Sequence, residues 1–195
     1  MTTVSTTSAS PSIYNVPNLL TTLRFFLAIA VVALLAYDAY WSALIAFSVA
    51  ASTDWMDGYW ARKYGQVTKV GRIFDPFVDK IIICGTFISL VAISNSTVAP
   101  WMAIVIVARE LLVTSLRGMI EGSGGDFSAR WSGKWKMVLQ CAAIILVMIC
   151  LGMHEAPAWV WTAGTITLWG AVGLTVYSGI EYVMAAARVL RDSET

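Results

Sequence analysis

The chain contains 195 residues, of which 58% are hydrophobic and 13% are charged, and its formal net charge is +1. Soluble domains usually carry about 25% charged residues. The composition therefore excludes a disordered chain, disfavours a soluble globule and predicts a protein that lies mostly in lipid. A net charge so close to zero gives no reason to expect a nucleic-acid partner.

Six apolar runs follow a polar N-terminal segment. Residues 1–16 are predicted to form a flexible cytosolic tail, and residues 17–195 a single domain. About 20 mainly apolar residues cross a bilayer as a helix, and only helices and closed barrels satisfy their backbone groups in lipid. The runs lack the alternation of barrel strands. We therefore predict an all-α, polytopic membrane protein with six transmembrane helices, at about residues 19–37, 41–60, 73–94, 99–119, 136–153 and 158–187.

Lysine and arginine are distributed asymmetrically among the connections. They flank the second and fourth connections and end the chain, at Arg62, Lys63, Lys69, Arg72, Arg117, Arg130, Lys134, Lys136, Arg188 and Arg191. The other three connections contain neither residue. Because cytoplasmic loops are enriched in these cations, both termini and the two basic loops are predicted in the cytoplasm. The expected location is the inner (cytoplasmic) cell membrane, with the active site facing the cytoplasm.

Four aspartates lie near the predicted cytosolic ends of the second and third helices. Asp54 and Asp57 are three residues apart, and Asp75 and Asp79 are four apart, so each pair shares one helix face. A short loop joins the two helices, which are therefore expected to be antiparallel neighbours. Converging carboxylates repel one another unless a hard cation lies between them, and Mg²⁺ prefers such oxygens together with substrate phosphates. The pattern predicts phosphoryl chemistry, with two divalent ions as one possible arrangement.

Small residues and an arginine follow the first acidic pair. Gly58 and Ala61 allow a ligand to approach the helix backbone, and Arg62 lies on the same face as Gly58. A guanidinium there can hold a phosphate through a fork of hydrogen bonds. Taken alone, the two small residues would favour close helix packing. The four acids nearby favour the phosphate site.

The complete pattern is D-x2-D-G-x2-A-R-x8-G-x3-D-x3-D. Its fixed positions are Asp54, Asp57, Gly58, Ala61, Arg62, Gly71, Asp75 and Asp79. It resembles the signature of the CDP-alcohol phosphotransferase family without departure. The resemblance implies cleavage of a CDP-linked lipid at its pyrophosphate, attack by an alcohol and release of CMP. It also implies that the first three aspartates are ligands of Mg²⁺ or Mn²⁺, and that Asp79 is the general base and makes a further metal contact. The family resemblance further implies a homodimer.

The same resemblance bears on the CDP-lipid pocket. It assigns the small residues Gly58, Ala61 and Gly71 to that pocket together with Arg62. It also favours a polar stripe of Asn18, Thr21 and Arg24 on the first helix, facing the nucleotide and phosphates. The alternative for this stripe is a capped helix with one arginine that extends to the interface.

A second cluster of cations is predicted to bind the acceptor alcohol. Arg109 lies deep in the fourth predicted helix, where an arginine should face a hydrated cavity or a partner. With Arg117, Lys134 and Lys136 it could surround an anion, and Glu110 could neutralise one of the cations. The cluster indicates a phosphorylated acceptor. It also resembles the branch of the family that transfers the phosphatidyl group from CDP-diacylglycerol to sn-glycerol 3-phosphate, except that Met137 replaces the usual threonine.

Two alternatives stay open at this stage. A sibling enzyme would use inositol phosphate, serine or phosphatidylglycerol as acceptor. A small cation-coupled transporter would instead place carboxylates near the middle of the bilayer and break its helices there. A non-catalytic scaffold would give no reason for four converging acids.

Overall fold

The computed structural model describes residues 16–64, 69–122 and 131–193. Within these ranges the side chains are described except at 16–18, 54–64, 69–73, 75, 121–122, 190 and 192–193. The described chain consists of six α-helices and contains no strand. They are α1 (Val16–Ala36), α2 (Tyr40–Tyr64), α3 (Lys69–Val91), α4 (Pro100–Gly122), α5 (Trp131–Gly152) and α6 (Ala158–Ser193). This confirms the predicted all-α class with six helices.

Several helices are longer than the apolar runs that predicted them. α2 continues to Tyr64, α5 begins at Trp131 rather than at residue 136, and α6 continues to Ser193. Apolar composition marks only the part of a helix that suits hydrocarbon, whereas Lys, Arg and Glu are good helix formers and let the helix continue into water. Since α3 begins at Lys69, Pro76 lies inside that helix and removes one backbone donor from it.

Composition divides the helices into two groups. Three segments are long and apolar enough to cross a membrane, namely Leu19–Ala36, Trp131–Gly152 and Ala158–Val189, and Tyr40–Thr53 forms a shorter apolar helix. Within their described residues, α3 and α4 contain no segment of that length and apolarity. Large apolar side chains such as Phe26, Ile45 and Ile166 are more than 60% exposed on the outside of the bundle. An exposed apolar exterior of this kind is that of a membrane protein.

The helices pack around one apolar core to which all six contribute. α1 packs against α2 and α3, α5 against α2, α3 and α6, and α4 against α3 and α6. Phe47, Phe87 and Leu168 are fully buried in this core. A second, smaller cluster joins α4 to α6 through Val113, Ile120, Tyr182 and Ala186. Arg109 lies on α4 and contacts Ser178 and Tyr182 of α6, so the second cluster supports the charged end of the bundle.

The three connections that lack lysine and arginine meet at the opposite end of the bundle. A cavity of about 550 Å³ there is lined by Asp38, Asn95 and His154, one residue from each connection. Asp38 turns the chain between α1 and α2 with a φ of 55°, a conformation that Asp tolerates better than most residues. The Tyr40 hydroxyl donates to the Asp38 carboxylate at 2.5 Å. The three connections that contain no lysine or arginine therefore lie together in space.

A tight contact between α2 and α5 closes this end. The indole Nε1 of Trp41 donates to the backbone oxygen of Gly152 at 3.0 Å, and a Cβ added at Gly152 would lie 3.0 Å from the same nitrogen. We expect Gly152→Ala to displace Trp41 and to lower the thermal unfolding midpoint in detergent, since it loses a hydrogen bond worth about 1 kcal/mol.

The matched control for this prediction is Gly118→Ala on α4, where an added Cβ meets nothing within 4 Å. Replacing glycine by alanine within a helix stabilises it by about 0.5–1 kcal/mol, so this variant should melt at or slightly above the wild-type temperature. Equal midpoints for the two variants would contradict the proposed contact.

Candidate active site

An ion pair links α1 to α3 near the basic end of the bundle. The Nη1 atom of Arg24 lies 2.6 Å from Oδ1 of Asp79. Arg24 is 1% exposed and the Asp79 side chain 24% exposed, so the guanidinium is enclosed while the carboxylate stays accessible. Thr21, one turn earlier on α1, is also buried. Thr21 and Arg24 therefore face the interior of the bundle, and Arg24 does not extend to the interface.

Two cavities meet at Asp79. The larger, of about 500 Å³, lies between α1, α2, α3 and α5 and has a mainly apolar wall, with Arg24, Ser48 and Ser52 among its polar residues. The smaller, of about 150 Å³, is lined by Pro76, Asp79, Lys80, Ile83, Glu110, Met137 and Gln140. Asp79, Ile83 and Met137 line both. The Asp79 carboxylate thus stands between one mainly apolar space and one polar space.

α2 and α3 both line the larger cavity, although they were expected to pack directly against each other. We expected the two helices to pack as antiparallel neighbours, but over the described residues they are not among the closely packed pairs. Both helices instead line the larger cavity, α2 through residues up to Ser52 and α3 from Asp79. α1 and α5 pack against both and hold them apart. The described parts of α2 and α3 therefore border a shared space.

Most of the predicted metal and CDP-lipid residues have side chains outside the described ones. The side chains of Asp54, Asp57 and Asp75, and those of Asn18, Gly58, Ala61, Arg62 and Gly71, are in this group. Their backbone positions lie in α1, α2 and α3. Among the described residues no cluster of three or more His, Cys, Asp and Glu occurs. The metal site remains a prediction, of which the structure describes only Asp79.

A second network of charges links α4, α5 and α6. The Glu110 carboxylate accepts a hydrogen bond from the ammonium of Lys136 and lies 3.6 Å from Nη1 of Arg109. Lys136 is 2% exposed and Arg109 9% exposed. Isolated charges at such depth are costly, and a carboxylate between two cations reduces that cost. Glu110 is therefore the structural counter-ion that the sequence suggested.

Arg109 lies in a slot formed mainly by α6. Its Nε donates to the Ser178 hydroxyl at 3.1 Å, and its guanidinium carbon lies 5.3 Å from the centre of the Tyr182 ring. A Cβ added at Gly179 would lie 3.3 Å from Cγ of Arg109, and one added at Gly133 would lie 3.9 Å from Nη2. The two glycines leave room for the arginine, and the hydroxyl and the ring orient it.

The remaining predicted acceptor residues differ in their surroundings. Arg117 is half-buried, and its Nε is buried without a hydrogen-bond partner in the described part of the chain. Lys134 is exposed, whereas Lys136 is buried. Two residues apart on a helix correspond to a rotation of about 200°, so the two lysines face nearly opposite directions. The structure brings Arg109 and Lys136 together around Glu110 and leaves Lys134 on the outside.

Two polar residues of the site were not predicted. Lys80 directly follows the predicted base, and Gln140 lies one turn after Lys136. Arg24 was predicted only as part of the polar stripe on the first helix, without a partner. Lys80 donates to the backbone oxygen of Pro76 at 2.9 Å and lines the smaller cavity. The sequence did contain a sign of Gln140, because this polar residue interrupts the apolar run at 137–151.

The arrangement is that of a helical membrane protein in which charged residues from four helices, α1, α3, α4 and α5, lie at or beside two adjoining cavities at one end of the bundle. Residues 14–177 match the CDP-alcohol phosphatidyltransferase family, and the chain belongs to that family.

Three relatives carry the name CDP-diacylglycerol–glycerol-3-phosphate 3-phosphatidyltransferase. The protein from Bacillus subtilis (strain 168) is 37% identical over 153 residues, which cover 76% of this chain and 75% of the relative. The protein from Blochmanniella floridana is 32% identical over 186 residues, or 91% of this chain and 94% of the relative. The protein from Escherichia coli (strain K12) is 31% identical over 187 residues, which cover 92% of this chain and 98% of the relative.

The network around Glu110 leads to a prediction about stability. Glu110→Ala should lower the thermal unfolding midpoint in detergent, because Lys136 and Arg109 lose their shared counter-ion; breaking a buried pair costs about 3 kcal/mol. Glu110→Gln combined with Lys136→Met removes both charges and should recover much of that loss.

Glu155→Ala serves as the control for that prediction, since Glu155 is exposed in the connection between α5 and α6. It should leave the midpoint unchanged. If Glu110→Ala melted with the wild type, the carboxylate would not be neutralising the two cations.

Proposed function

We propose that this protein transfers the phosphatidyl group from CDP-diacylglycerol to sn-glycerol 3-phosphate, releasing CMP and forming phosphatidylglycerophosphate for phosphatidylglycerol and cardiolipin synthesis. The observation that carries the proposal is the position of Asp79 between a larger, mainly apolar cavity and a smaller one that Lys80, Glu110 and Gln140 also line. The names of the three relatives support the same reaction. Family membership favours an enzyme over the cation-coupled transporter.

The two cavities suit the two substrates. The larger cavity is apolar along most of its wall and has Arg24 at its polar side, which matches a donor with acyl chains and phosphates. Thr21 is buried one turn from Arg24, and we assign it to the CDP-lipid site with Asn18, Gly58, Ala61, Arg62 and Gly71. The smaller cavity has the size and polarity for a three-carbon alcohol.

A divalent metal site is part of the proposal. Asp54, Asp57 and Asp75, with Asp79, would hold Mg²⁺ or Mn²⁺, with two ions proposed. The donor set fits such ions, since it consists of carboxylate oxygens, and the one member whose side chain the structure describes, Asp79, lines the larger cavity. When bound, the ions neutralise charge on the pyrophosphate.

Asp79 acts as the general base in this proposal. Arg24, at 2.6 Å, fixes the position of the carboxylate. Asp79 accepts the proton of the acceptor hydroxyl as that oxygen forms a bond to the phosphorus next to the diacylglycerol. The bond from this phosphorus to the bridging oxygen of the pyrophosphate breaks, and CMP leaves with the electron pair. The proton on Asp79 then passes to water.

The acceptor phosphate is assigned to Arg109, Arg117, Lys134 and Lys136. Glu110 neutralises one charge of the pair Arg109 and Lys136, so these three residues with Arg117 carry a net charge of +2. That balance suits a phosphate monoester dianion. Lys134 is exposed and would act through the electric field at the mouth of the site rather than by direct contact.

The proposal places the protein in the inner (cytoplasmic) cell membrane. Both termini and the site would lie on the cytoplasmic side, following the distribution of lysine and arginine. We propose a homodimer, for which the exposed apolar exterior offers surface. Residues 1–16 are proposed as a cytosolic tail before a single catalytic domain at 17–195.

The decisive experiment measures CMP release by the purified protein in detergent with CDP-diacylglycerol, Mg²⁺ or Mn²⁺, and one acceptor at a time. Release with sn-glycerol 3-phosphate alone is the expected result. Release with inositol phosphate, serine or phosphatidylglycerol instead would assign a sibling reaction. Loss of activity with a chelator, and its return with added metal, would test the metal site.

Replacing the proposed base, Asp79, should slow turnover strongly while both substrates still bind. We expect Asp79→Asn to lower kcat at least about 100-fold, since general-base catalysis contributes 10²–10⁴-fold. Steady-state rates of CMP release measure the effect, and Asp38→Asn at the opposite end of the bundle should leave kcat unchanged. Near-normal turnover of Asp79→Asn with metal still bound would refute the assignment.

Removing the cations of the acceptor site should change KM for the acceptor more than KM for CDP-diacylglycerol. We expect Arg117→Ala and Arg109→Ala to raise KM for sn-glycerol 3-phosphate about tenfold or more, because each removes a charge-assisted hydrogen bond. KM for CDP-diacylglycerol should change less than about twofold. Arg188→Ala, an exposed cation on α6, should change neither constant, and equal losses for both substrates would contradict the placement of the acceptor phosphate.

A further inference from the structure

The side-chain amide of Gln140 is buried, and its nitrogen and oxygen differ in their hydrogen bonding. The residue lies on α5 and is 0% exposed. Its Nε2 donates to the hydroxyl of Thr175 on α6 at 3.1 Å. Its Oε1 is buried and has no hydrogen-bond partner among the described residues. An unsatisfied buried acceptor costs free energy, and its presence in a folded protein calls for an explanation.

The neighbours of Gln140 determine which end of the amide is free. The Thr175 hydroxyl donates its proton to the backbone oxygen of Ala171 at 2.6 Å. A hydroxyl has one proton to give, so towards Gln140 the Thr175 oxygen can only accept. The amide must therefore direct its NH₂ group to Thr175. The atom that Gln140 has left to offer is a hydrogen-bond acceptor.

The cavity beside Gln140 is the smaller one that contains Asp79. Gln140, Asp79 and Glu110 all line this space of about 150 Å³. A phosphate dianion has no proton to donate, so it cannot satisfy Oε1. The group that matches Oε1 is a neutral donor of small size. A hydroxyl on a short carbon chain meets both conditions.

We propose that Gln140 accepts a hydrogen bond from the hydroxyl of the acceptor that does not react, and so determines the acceptor specificity. This rests on the function proposed above. sn-Glycerol 3-phosphate carries two adjacent hydroxyl groups. One gives its proton to Asp79 and attacks phosphorus, while the other donates to Oε1 of Gln140, and the phosphate extends to the cations. Gln140 thereby selects a vicinal diol phosphate over an alcohol phosphate with one hydroxyl.

The test compares sn-glycerol 3-phosphate with 3-hydroxypropyl phosphate, which keeps the reacting hydroxyl and the phosphate but lacks the second hydroxyl. In the wild type, kcat/KM should be about 10–100-fold higher for the diol, because the analogue leaves Oε1 unsatisfied. Gln140→Met keeps the length of the side chain and removes the acceptor. It should lower kcat/KM for the diol by a similar factor, change it little for the analogue, and leave KM for CDP-diacylglycerol unchanged.

Thr162→Val is the control, since Thr162 is exposed on α6 and is not among the residues that line either cavity. It should keep the wild-type ratio between the two acceptors. The proposal is overturned if the wild type uses both acceptors equally, or if Gln140→Met loses the same factor with each. Should Gln140→Met not fold, the wild-type ratio still decides. A wild type inactive with sn-glycerol 3-phosphate would instead refute the proposed function.

Discussion

A charge within a membrane-spanning bundle must be matched by another charge, and Arg24 and Asp79 meet this requirement between α1 and α3. Their contact at 2.6 Å joins residues 55 positions apart in the chain. Because the guanidinium is enclosed and the carboxylate accessible, the pair positions a negative group at the junction of two cavities. The electrostatic condition for burying Arg24 also places the residue on which the proposed chemistry depends.

The network around Glu110 applies the same constraint on the other side of the site. Lys136 and Arg109 share one carboxylate, and α6 supplies Ser178, Gly179 and Tyr182 to hold the arginine. α6 therefore contributes to the site without carrying any predicted catalytic residue. Thr175, one turn before Ser178 and Gly179, also fixes the orientation of Gln140. A single polar stripe on α6 thus orients two residues on two other helices.

The separation of the cavities has a chemical consequence. The donor of a phosphatidyl group has both acyl chains and charged phosphates, so its site needs an apolar wall and a cation. The larger cavity has both, with Phe47 and Ile82 on its wall and Arg24 at its polar side. The smaller cavity is more polar and has room for little more than a small alcohol. Restricting the space beside Asp79 limits the water that could compete with the acceptor for the same phosphorus.

Much of the architecture was predictable from the order of residues. Apolar runs located all six helices, because a helix in lipid must be apolar over most of its length. The spacing of Asp54, Asp57, Asp75 and Asp79 assigned each acidic pair to one helix face, and the depth of Arg109 indicated that it needed a partner. The helix ends were less well predicted, since polar residues continue a helix in water and carry no apolar signal. That explains why α5 begins at Trp131 and α6 continues to Ser193.

The sequence by itself therefore determined the number of helices, the polar face of each and the motif that indicates the chemistry. Only the tertiary structure decided that Arg24 pairs with Asp79, that α2 and α3 are separated by a cavity, and that Gln140 keeps an acceptor without a partner. The physical reason is that helical periodicity states which residues of one helix share a face. Which other helix stands opposite that face depends on how all six pack together, and that information is not contained in any one segment.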